Sequence, residues 1–205
     1  MSATNASATL RRVIGLDDTP PRLAGATLVL IDYQNTYREG VMALDGAEEA
    51  LAAGARLLAA ARAAGTPVVH VVNDGGPGTP YDIRAEIGAI SPEVAPRAGE
   101  PVVVKEFPDA FHNTELAAVL ARSGVGPERP DLVLAGFMTH MCVQFTAQGA
   151  FRAGLRPAVV AEACATRALP GPGGSVVPAA DLHAAALTTV GDLFGTVVGT
   201  VAELA

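Results

Sequence analysis

The sequence predicts an α/β fold: a three-layer, doubly wound sheet of about six mainly parallel strands with helices on both faces. Apolar runs such as 26–32 (ATLVLID) and 101–105 (PVVVK) are continuous rather than alternating, which is typical of parallel strands buried on both faces. Segments with helical patterning, many of them rich in Ala, lie between these runs. Strand and helix signals therefore alternate along the chain, as they do in doubly wound proteins.

The elements follow one another in a regular order. We place strands near 27–32, 67–73, 101–105, 131–136, 156–161 and 193–198. Helices are predicted near 45–64, 83–90, 114–123 and 179–190, and a further one begins at Cys142 and ends at Gly154. Gly65 and Pro67 mark the end of the first long helix. The loops 74–82 and 169–178 are rich in turn-forming residues and are either lids over a site or ordinary surface loops.

Length and composition restrict the possible functions. With 205 residues, 50% of them hydrophobic, the chain can bury the core of one domain, assigned to residues 21–205 after an N-terminal tail of residues 1–20. The net charge of -7 argues against nucleic acid as a partner, because phosphate binding needs a basic patch. No apolar run approaches the roughly 18–20 residues of a transmembrane helix, and residues 1–9 are small and polar. We therefore expect no membrane partner and a cytoplasmic location.

Cys142 lies where the fourth strand signal turns into a helical pattern. A thiol on the first turn of a helix is close to the positive end of the helix dipole and to unpaired backbone N–H groups. Both favour thiolate over thiol, and the same N–H groups can stabilise an oxyanion. The alternative is inert core packing, since free cysteines are among the most buried residues. The polar Thr139 and His140 argue against a sealed core position.

Two other strand signals end in an ionisable residue. Asp32 closes the first of them and Lys105 closes the third. The carboxyl ends of parallel strands lie at one edge of the sheet, and that edge carries the ligand crevice in open α/β sheets. Either residue alone can be a turn cap or a solvated strand end. Together with Cys142, they predict a site that contains a carboxylate, an ammonium and a thiol.

Three segments resemble the isochorismatase-like cysteine hydrolases, a family that includes nicotinamidases and related amidases. Residues 31–37 (IDYQNTY) are similar to the family's D-x-Q-x-x-F/Y segment. Residues 109–116 (DAFHNTEL), after Lys105, resemble its S-A-F-x-x-T-x-L segment. Residues 136–150 (GFMTHMCVQFTAQGA) resemble its G-x-x-T-x-x-C-V-x-x-T-A segment. The order and spacing agree with the family pattern over nearly the whole chain after the tail.

The resemblance implies an Asp-Lys-Cys triad that hydrolyses the C–N (amide) bond of a small molecule through a thioester. Cys142 is then the nucleophile, Asp32 the general base and Lys105 their electrostatic partner. The N–H groups of Met138 and Cys142 form the oxyanion hole, next to a cis peptide at Phe137–Met138. The resemblance also implies a homo-oligomer, a dimer or larger.

Five residues around the crevice are weaker candidates for contact with the substrate. For the aromatic ones, core packing is the alternative. The glutamine can orient Asp32 or cap a turn, and each histidine can face the substrate or the solvent. These residues are Gln34, Tyr37, Phe107, His112 and His140.

The sequence predicts neither a catalytic metal nor a cofactor. Nicotinamidases of the family carry a D-x-H…H metal site after the second strand, whereas that region here reads VVHVVNDGGPGTPYDI. The four histidines contain no pair with the local spacing of a typical metal site. We interpret His70 as a hydrogen-bonded strand histidine and His183 as a residue on a helix surface. Nicotinamide is therefore a less favoured substrate.

Other functions fit parts of the pattern. The same family contains vinyl-ether hydrolases that act on isochorismate, and their chemistry relies on protonation rather than on a thiolate. A thiol redox or regulatory module would use Cys142 and Cys164, but there is no C-x-x-C motif and the two lie 22 positions apart in the chain. Otherwise Cys164 packs near a strand end. A nucleotide-binding domain is disfavoured, because neither G-x-G-x-x-G nor G-x-x-x-x-G-K-[ST] occurs.

Overall fold

The computed structural model describes residues 6–205 and contains the predicted α/β sheet. Its first strands are β1 (Thr27–Ile31), β2 (Val68–Asn73), β3 (Val102–Lys105), β4 (Asp131–Phe137) and β5 (Arg156–Ala165). They are followed by β6 (Leu169–Pro170), β7 (Val176–Val177) and β8 (Thr196–Val198). In this part of the chain six strands form one parallel sheet in the order β3-β2-β1-β4-β5-β8. The direction of winding reverses between β1 and β4, which places the predicted ligand crevice beside these two strands.

Helices cover both faces of this sheet, as predicted. They are α1 (Leu10–Val13), α2 (Ala47–Ala63), α3 (Leu116–Arg122), α4 (Gln144–Arg152) and α5 (Ala179–Thr189). Alternate residues of β1 point to opposite faces, so that Leu28 packs in the core cluster of α2, whereas Val29 packs in the cluster of α3 and α4. Burial on both faces explains why the strands read as continuous apolar runs. No helix between residues 6 and 205 is long and apolar enough to cross a membrane.

Three local predictions differ from the structure. The helix expected at 83–90 is reduced to a single 3-10 turn, Glu86–Gly88, whose Gly88 carbonyl accepts a hydrogen bond from the Gln34 side chain (2.7 Å). The fifth strand continues to residue 165 after a register shift against β4, so that Cys164 lies inside β5 and not after it. The loop 169–178 contains the short antiparallel pair β6–β7.

The described part of the predicted N-terminal tail is held against the body of the protein. The backbone N–H of Leu10 in α1 donates to Asp192 Oδ1 (2.8 Å). The guanidinium of Arg11 is buried and donates to the carbonyl of Leu193 (3.2 Å). Leu10 and Arg11 therefore hold α1 against the segment before β8, while residues 1–5 of the predicted tail lie outside the described residues.

Gly136 allows β4 to approach β1 closely at the edge of the crevice. Its φ is +137°, and a Cβ atom at this position would lie 1.9 Å from the carbonyl oxygen of Ile31. An L side chain would therefore meet both an unfavourable backbone conformation and a clash with the neighbouring strand. This close approach brings the residues after β4 next to Asp32, which directly follows Ile31.

Gly136→Ala is expected to lower the free energy of unfolding by at least about 2 kcal/mol, since β1 and β4 must move apart. Urea unfolding followed by circular dichroism measures this change. Gly25→Ala is the matched control, because a Cβ atom at residue 25 has no neighbour within 4 Å. Equal midpoints for the two variants would contradict the close approach.

An ion-pair network ties α2 to β2. Arg62 donates to both carboxylate oxygens of Glu100 (2.8 and 2.7 Å), and His70 Nε2 lies 3.0 Å from the same carboxylate. The hydrogen bonds from Arg62 lower the pKa of Glu100 to about 2, against the opposing effect of burial. Burial lowers the pKa of His70, and its contact with Glu100 makes it the hydrogen-bonded strand histidine that the sequence predicted.

The stabilising effect of Glu100 depends on pH. Its folded pKa of about 2 is below the ordinary value of 4.5, so its contribution is complete above pH 4.5 and is lost as the pH falls toward 2. Glu100→Gln should therefore lower the free energy of unfolding by about 1–3 kcal/mol at pH 7 and by much less at pH 3. Urea unfolding at both pH values measures this. Glu115→Gln, in an exposed pair of 3.8 Å, should have no measurable effect. A loss in Glu100→Gln that does not change with pH would contradict this account.

Candidate active site

The three predicted residues meet around one buried ammonium group. Lys105 Nζ lies 2.8 Å from Asp32 Oδ2 and 3.3 Å from Cys142 Sγ. The side chains of Asp32 and Lys105 have 0% exposure. They come from the ends of β1 and β3 and from the turn after β4, so the edge of the sheet brings together residues that are far apart in the chain.

Asn73 completes the contacts of this ammonium and was not among the predicted site residues. It is the last residue of β2, where it pairs in register with Lys105, and its Oδ1 lies 3.1 Å from Lys105 Nζ. The ammonium therefore donates hydrogen bonds to Asn73 and Cys142 and forms an ion pair with Asp32. The signal that identified Asp32 and Lys105, a polar residue that closes an apolar strand, also applies to Asn73.

The Asp32 carboxylate has unused capacity to accept a proton. The residue has a φ of +52°, a left-handed conformation that aspartate tolerates better than most residues. Lys105 and the Cys142 thiol are neighbours of this carboxylate. Neither contact is aligned as a hydrogen bond, and within residues 6–205 both carboxylate oxygens are buried without a hydrogen-bond partner.

Burial and charge act against each other at this pair. Burial raises the pKa of Asp32, and the positive charge of Lys105 reduces that rise. For Lys105, burial alone would lower the pKa, but attraction to Asp32 and Cys142 outweighs it and the net pKa is raised. Lysine therefore retains its proton, and Asp32 is a stronger base than an exposed aspartate.

The surroundings of Cys142 oppose the thiolate that its place on the first turn of a helix favours. Burial raises the pKa of this thiol, the negative charge of Asp32 raises it further, and Lys105 compensates only in part. The residue is 5% exposed and belongs to the core cluster of α3 and α4, so the polar residues before it did not exclude a buried position. Burial and the charge of Asp32 therefore act against the helix dipole and favour the protonated thiol.

The turn that carries Cys142 is a π-helical segment, Thr139–Val143, which leads into α4. The peptide bond Phe137–Met138 before it is cis, as the family resemblance implied. The carbonyl of Met138 accepts hydrogen bonds from the N–H groups of Met141 (3.0 Å) and Val143 (3.2 Å). The oxyanion hole formed by the N–H groups of Met138 and Cys142 stays a prediction.

Two histidines anchor this turn to its neighbours. The ring of His140 is hydrogen-bonded to Thr166 Oγ1, just after β5. The ring of His183, predicted on a helix surface, is half-buried in α5, and its Nδ1 lies 2.9 Å from Thr139 Oγ1. Burial lowers the pKa of both histidines. They therefore hold the turn that carries the sulfur as neutral hydrogen-bonding groups.

Gln34 is structural. Its Nε2 donates to the carbonyls of Asn73 (3.0 Å) and Gly88 (2.7 Å), and its Oε1 accepts the N–H of Asn73 (2.9 Å). The side chain is fully buried, and all these bonds go to backbone groups. It therefore fixes the end of β2 and the 86–88 turn rather than facing a substrate.

The aromatic candidates occupy two different environments. Tyr37 is buried and packs edge-on against Phe137 (ring centroids 5.5 Å) and Tyr81 (5.7 Å). Phe107 is 48% exposed, and its ring centroid lies 4.8 Å from that of His112. Together with Lys105, Phe107 and His112 line a cavity of about 380 Å³. Tyr37 thus packs in the core, which was the alternative for this residue, and the other two line a cavity next to Lys105.

Between residues 6 and 205, no three histidine, cysteine, aspartate or glutamate side chains are grouped in a way that could hold a metal ion.

Cys164 is buried in β5, where burial raises the pKa of its thiol to about 12. It shares the core cluster with Cys142, and both are free cysteines.

The parallel sheet and its buried Asp-Lys-Cys cluster define a class of α/β hydrolytic enzyme. Residues 26–202 match the family model of the isochorismatase domain. The chain is 34% identical to the secreted isochorismatase effector Isc1 of Verticillium dahliae over 189 residues, which cover 92% of this chain and 95% of that protein. A crystal structure of an isochorismatase from Pseudomonas putida superposes with a TM-score of 0.91 at 38% identity, covering 98% of this chain and 100% of that one. The chain belongs to the isochorismatase family, as its motifs predicted.

This family includes amidohydrolases. The maleamate amidohydrolase of Pseudomonas putida is 32% identical over 163 residues, which cover 68% of this chain and 72% of that protein. The chain is therefore an enzyme of a hydrolase family that includes members acting on C–N bonds of non-peptide substrates.

Asp32→Asn should accelerate alkylation of Cys142. The substitution removes a negative charge that raises the thiol pKa and leaves Lys105 to stabilise the thiolate. We expect iodoacetamide to modify Asp32→Asn at least about tenfold faster than the parent protein at pH 7, as followed by intact mass. Both proteins carry Cys164→Ser, so that each adduct reports on Cys142. Equal rates would show that the carboxylate does not control the sulfur.

Proposed function

We propose that this chain is a cysteine hydrolase that cleaves a C–N (amide) bond of a small molecule through a thioester on Cys142. The observation that carries this proposal is the contact of one buried ammonium, Lys105 Nζ, with both the Asp32 carboxylate and the Cys142 sulfur. Membership of a family that includes a maleamate amidohydrolase supports amide cleavage in particular.

Acylation begins with a neutral thiol. Asp32 takes the proton as Sγ attacks the carbonyl carbon of the amide, and the resulting oxyanion accepts hydrogen bonds from the N–H groups of Met138 and Cys142. The C–N bond then breaks, and the departing nitrogen takes the proton from Asp32. Lys105 keeps its proton and stabilises the negative charge as it moves between the carboxylate and the sulfur.

Hydrolysis of the thioester repeats these roles with water. Asp32 takes a proton from a water molecule whose oxygen attacks the thioester carbonyl. The C–S bond breaks, the carboxylic acid product leaves, and Asp32 returns the proton to the sulfur. The enzyme is then restored to its starting state.

The raised pKa of the Cys142 thiol is compatible with this scheme. A thiol of high pKa is a stronger nucleophile once it is deprotonated, provided that a base removes its proton during the attack. Asp32 is such a base, and general-base assistance typically contributes about 10²–10⁴-fold to the rate. The protonation state of the resting site therefore favours a proton transfer that is coupled to attack.

We also propose the setting in which the enzyme works. The three side chains supply the nucleophile, the base and the electrostatic stabilisation, so the reaction as written uses no metal or cofactor. We propose a homo-oligomer, which light scattering of the purified protein tests directly. We propose a cytoplasmic location, which cell fractionation tests.

Cys142→Ala should abolish turnover and leave the fold intact, because the sulfur forms the covalent bond. Intact mass of the parent protein with a panel of primary amides, lactams and esters should show an acyl adduct, which is absent in Cys142→Ala. Asp32→Asn should slow acylation by about 10²–10⁴-fold.

Cys164→Ser serves as the control and should retain both the adduct and the turnover. Turnover of an amide by Cys142→Ala at the parent rate would refute the nucleophilic role. Cleavage of isochorismate by both Cys142→Ala and the parent would instead favour vinyl-ether hydrolysis. Reversible Cys142–Cys164 disulfide formation without hydrolysis would favour the redox function.

A further inference from the structure

The segment that follows Lys105 departs from the family pattern at one buried position. Asp109 occupies the place of the serine in the S-A-F-x-x-T-x-L segment. Its Oδ1 accepts a hydrogen bond from the N–H of Phe111 (2.9 Å), and its Oδ2 accepts one from Arg152 of α4 (3.1 Å). A carboxylate in place of a hydroxyl therefore connects the segment after β3 to the helix that follows Cys142.

Gly149 of α4 makes room for this carboxylate. A Cβ atom at residue 149 would lie 2.3 Å from Asp109 Oδ1 and 2.8 Å from Asp109 Cγ. Rotation of the carboxylate away from the helix would break its hydrogen bond to the N–H of Phe111. The two positions are therefore matched, because the acidic side chain needs a residue without a Cβ atom on the facing helix.

Thr146 makes a second link between the same two segments. It is fully buried in α4, four residues after Cys142. Its Oγ1 accepts a hydrogen bond from the N–H of Ala110 (3.1 Å) and donates one to the carbonyl of Pro108 (3.4 Å). A hydroxyl has one proton to donate, so these two bonds fix how it is oriented. Residues 108–111 are therefore held on α4 from two positions, 109 and 146.

These contacts close a ring that contains the Cys142 thiol. From its sulfur the ring runs to Lys105 Nζ (3.3 Å), along the backbone to Ala110, and through Thr146 back to Cys142. The ammonium is fixed by the position of Lys105 at the end of β3 and by its ion pair with Asp32 (2.8 Å). The links to α4 therefore act on the other end of the contact, where they set how close the sulfur lies to the ammonium.

We propose that Asp109 and Thr146 are positioning residues that hold the Cys142 sulfur against the ammonium of Lys105. They act through α4 and the segment after β3, and a displacement of about 0.5 Å is enough to impair a reactive geometry. A sulfur that moves away from Lys105 loses part of the charge that stabilises it as an anion. This inference rests on the proposed nucleophilic role of Cys142 and adds to it the residues that place the nucleophile.

Alkylation of the sulfur tests Thr146 without any substrate. The starting protein carries Asp32→Asn and Cys164→Ser, so that Lys105 acts on the sulfur without the opposing carboxylate and each adduct reports on Cys142. Thr146→Val should slow modification by iodoacetamide at pH 7 on the order of tenfold, since the thiol pKa rises as the sulfur leaves the ammonium. Thr146→Ser keeps the hydroxyl and should stay within about twofold of the starting protein. A rate in Thr146→Val that equals or exceeds that of Thr146→Ser would overturn the proposal.

A compensation experiment tests the match between Asp109 and Gly149. In the same background, Gly149→Ala should slow alkylation on the order of tenfold, because its methyl group displaces the carboxylate. Asp109→Ser/Gly149→Ala should recover most of the rate, since serine is shorter and its hydroxyl can still accept the N–H of Phe111. Gly191→Ala is the control, because a Cβ atom there meets Val197 at 3.7 Å, an ordinary contact.

Urea unfolding of the same variants separates positioning from folding. If Gly149→Ala lowers the unfolding midpoint but alkylates at the rate of Gly191→Ala, the match between Asp109 and Gly149 only supports the structure. That result would overturn the proposal.

Crystal structures provide a second measurement in a chain that keeps Asp32. In the Cys164→Ser background, Thr146→Val should lengthen the distance from Lys105 Nζ to Cys142 Sγ by at least about 0.5 Å, whereas Thr146→Ser should leave it unchanged. An unchanged distance in Thr146→Val would overturn the proposal, whether or not the Asp32→Asn protein folds.

The outcomes distinguish this inference from the proposed function. Slower alkylation and a longer distance in Thr146→Val, in an enzyme that forms no acyl adduct with any amide of the panel, would support the positioning role and refute the amidase. An acyl adduct on the parent protein, with neither the alkylation rate nor the distance changed by Thr146→Val, would overturn the positioning role and leave the amidase in place.

Discussion

The buried ammonium of Lys105 is the interaction on which the rest of the site depends. A cation without solvent needs negative partners, and the structure supplies a carboxylate at 2.8 Å, an amide oxygen at 3.1 Å and a sulfur at 3.3 Å. Each partner comes from the end of a different strand or from the turn after one. The same charge that allows Asp32 to be buried also makes the sulfur next to it a usable nucleophile once it loses its proton.

The fold is what makes this arrangement possible. β1 and β4 lie side by side where the winding reverses, and Gly136 lets them approach closely enough to place the turn of Cys142 beside Asp32. Burial then sets the chemistry: it keeps the thiol protonated and makes the carboxylate more basic. An exposed site with the same three residues would have a weaker base and weaker electrostatic coupling.

The sequence was sufficient to predict the sheet, its helices and the meeting of Asp32, Lys105 and Cys142. The carboxyl ends of parallel strands lie at one edge of the sheet, so polar residues that close apolar strands are expected to lie close together there. The sequence did not predict the protonation state of the sulfur, since desolvation depends on packing by distant residues. The role of Gln34 was equally hidden, because its partners are backbone groups far along the chain. The 86–88 turn was hidden in the same way, because its carbonyls accept hydrogen bonds from Gln34 and Asn35, which lie far along the chain.

The most direct test of this account is a double-mutant cycle on the free energy of unfolding, with Asp32→Asn, Lys105→Met and the double variant. Removing one member of a buried ion pair leaves the other charge uncompensated, so each single substitution should lower stability by about 3–5 kcal/mol. The double variant should be clearly more stable than the sum of the single effects predicts. Strictly additive losses would mean that the two charges are not coupled, and would contradict the central role given to the Lys105 ammonium.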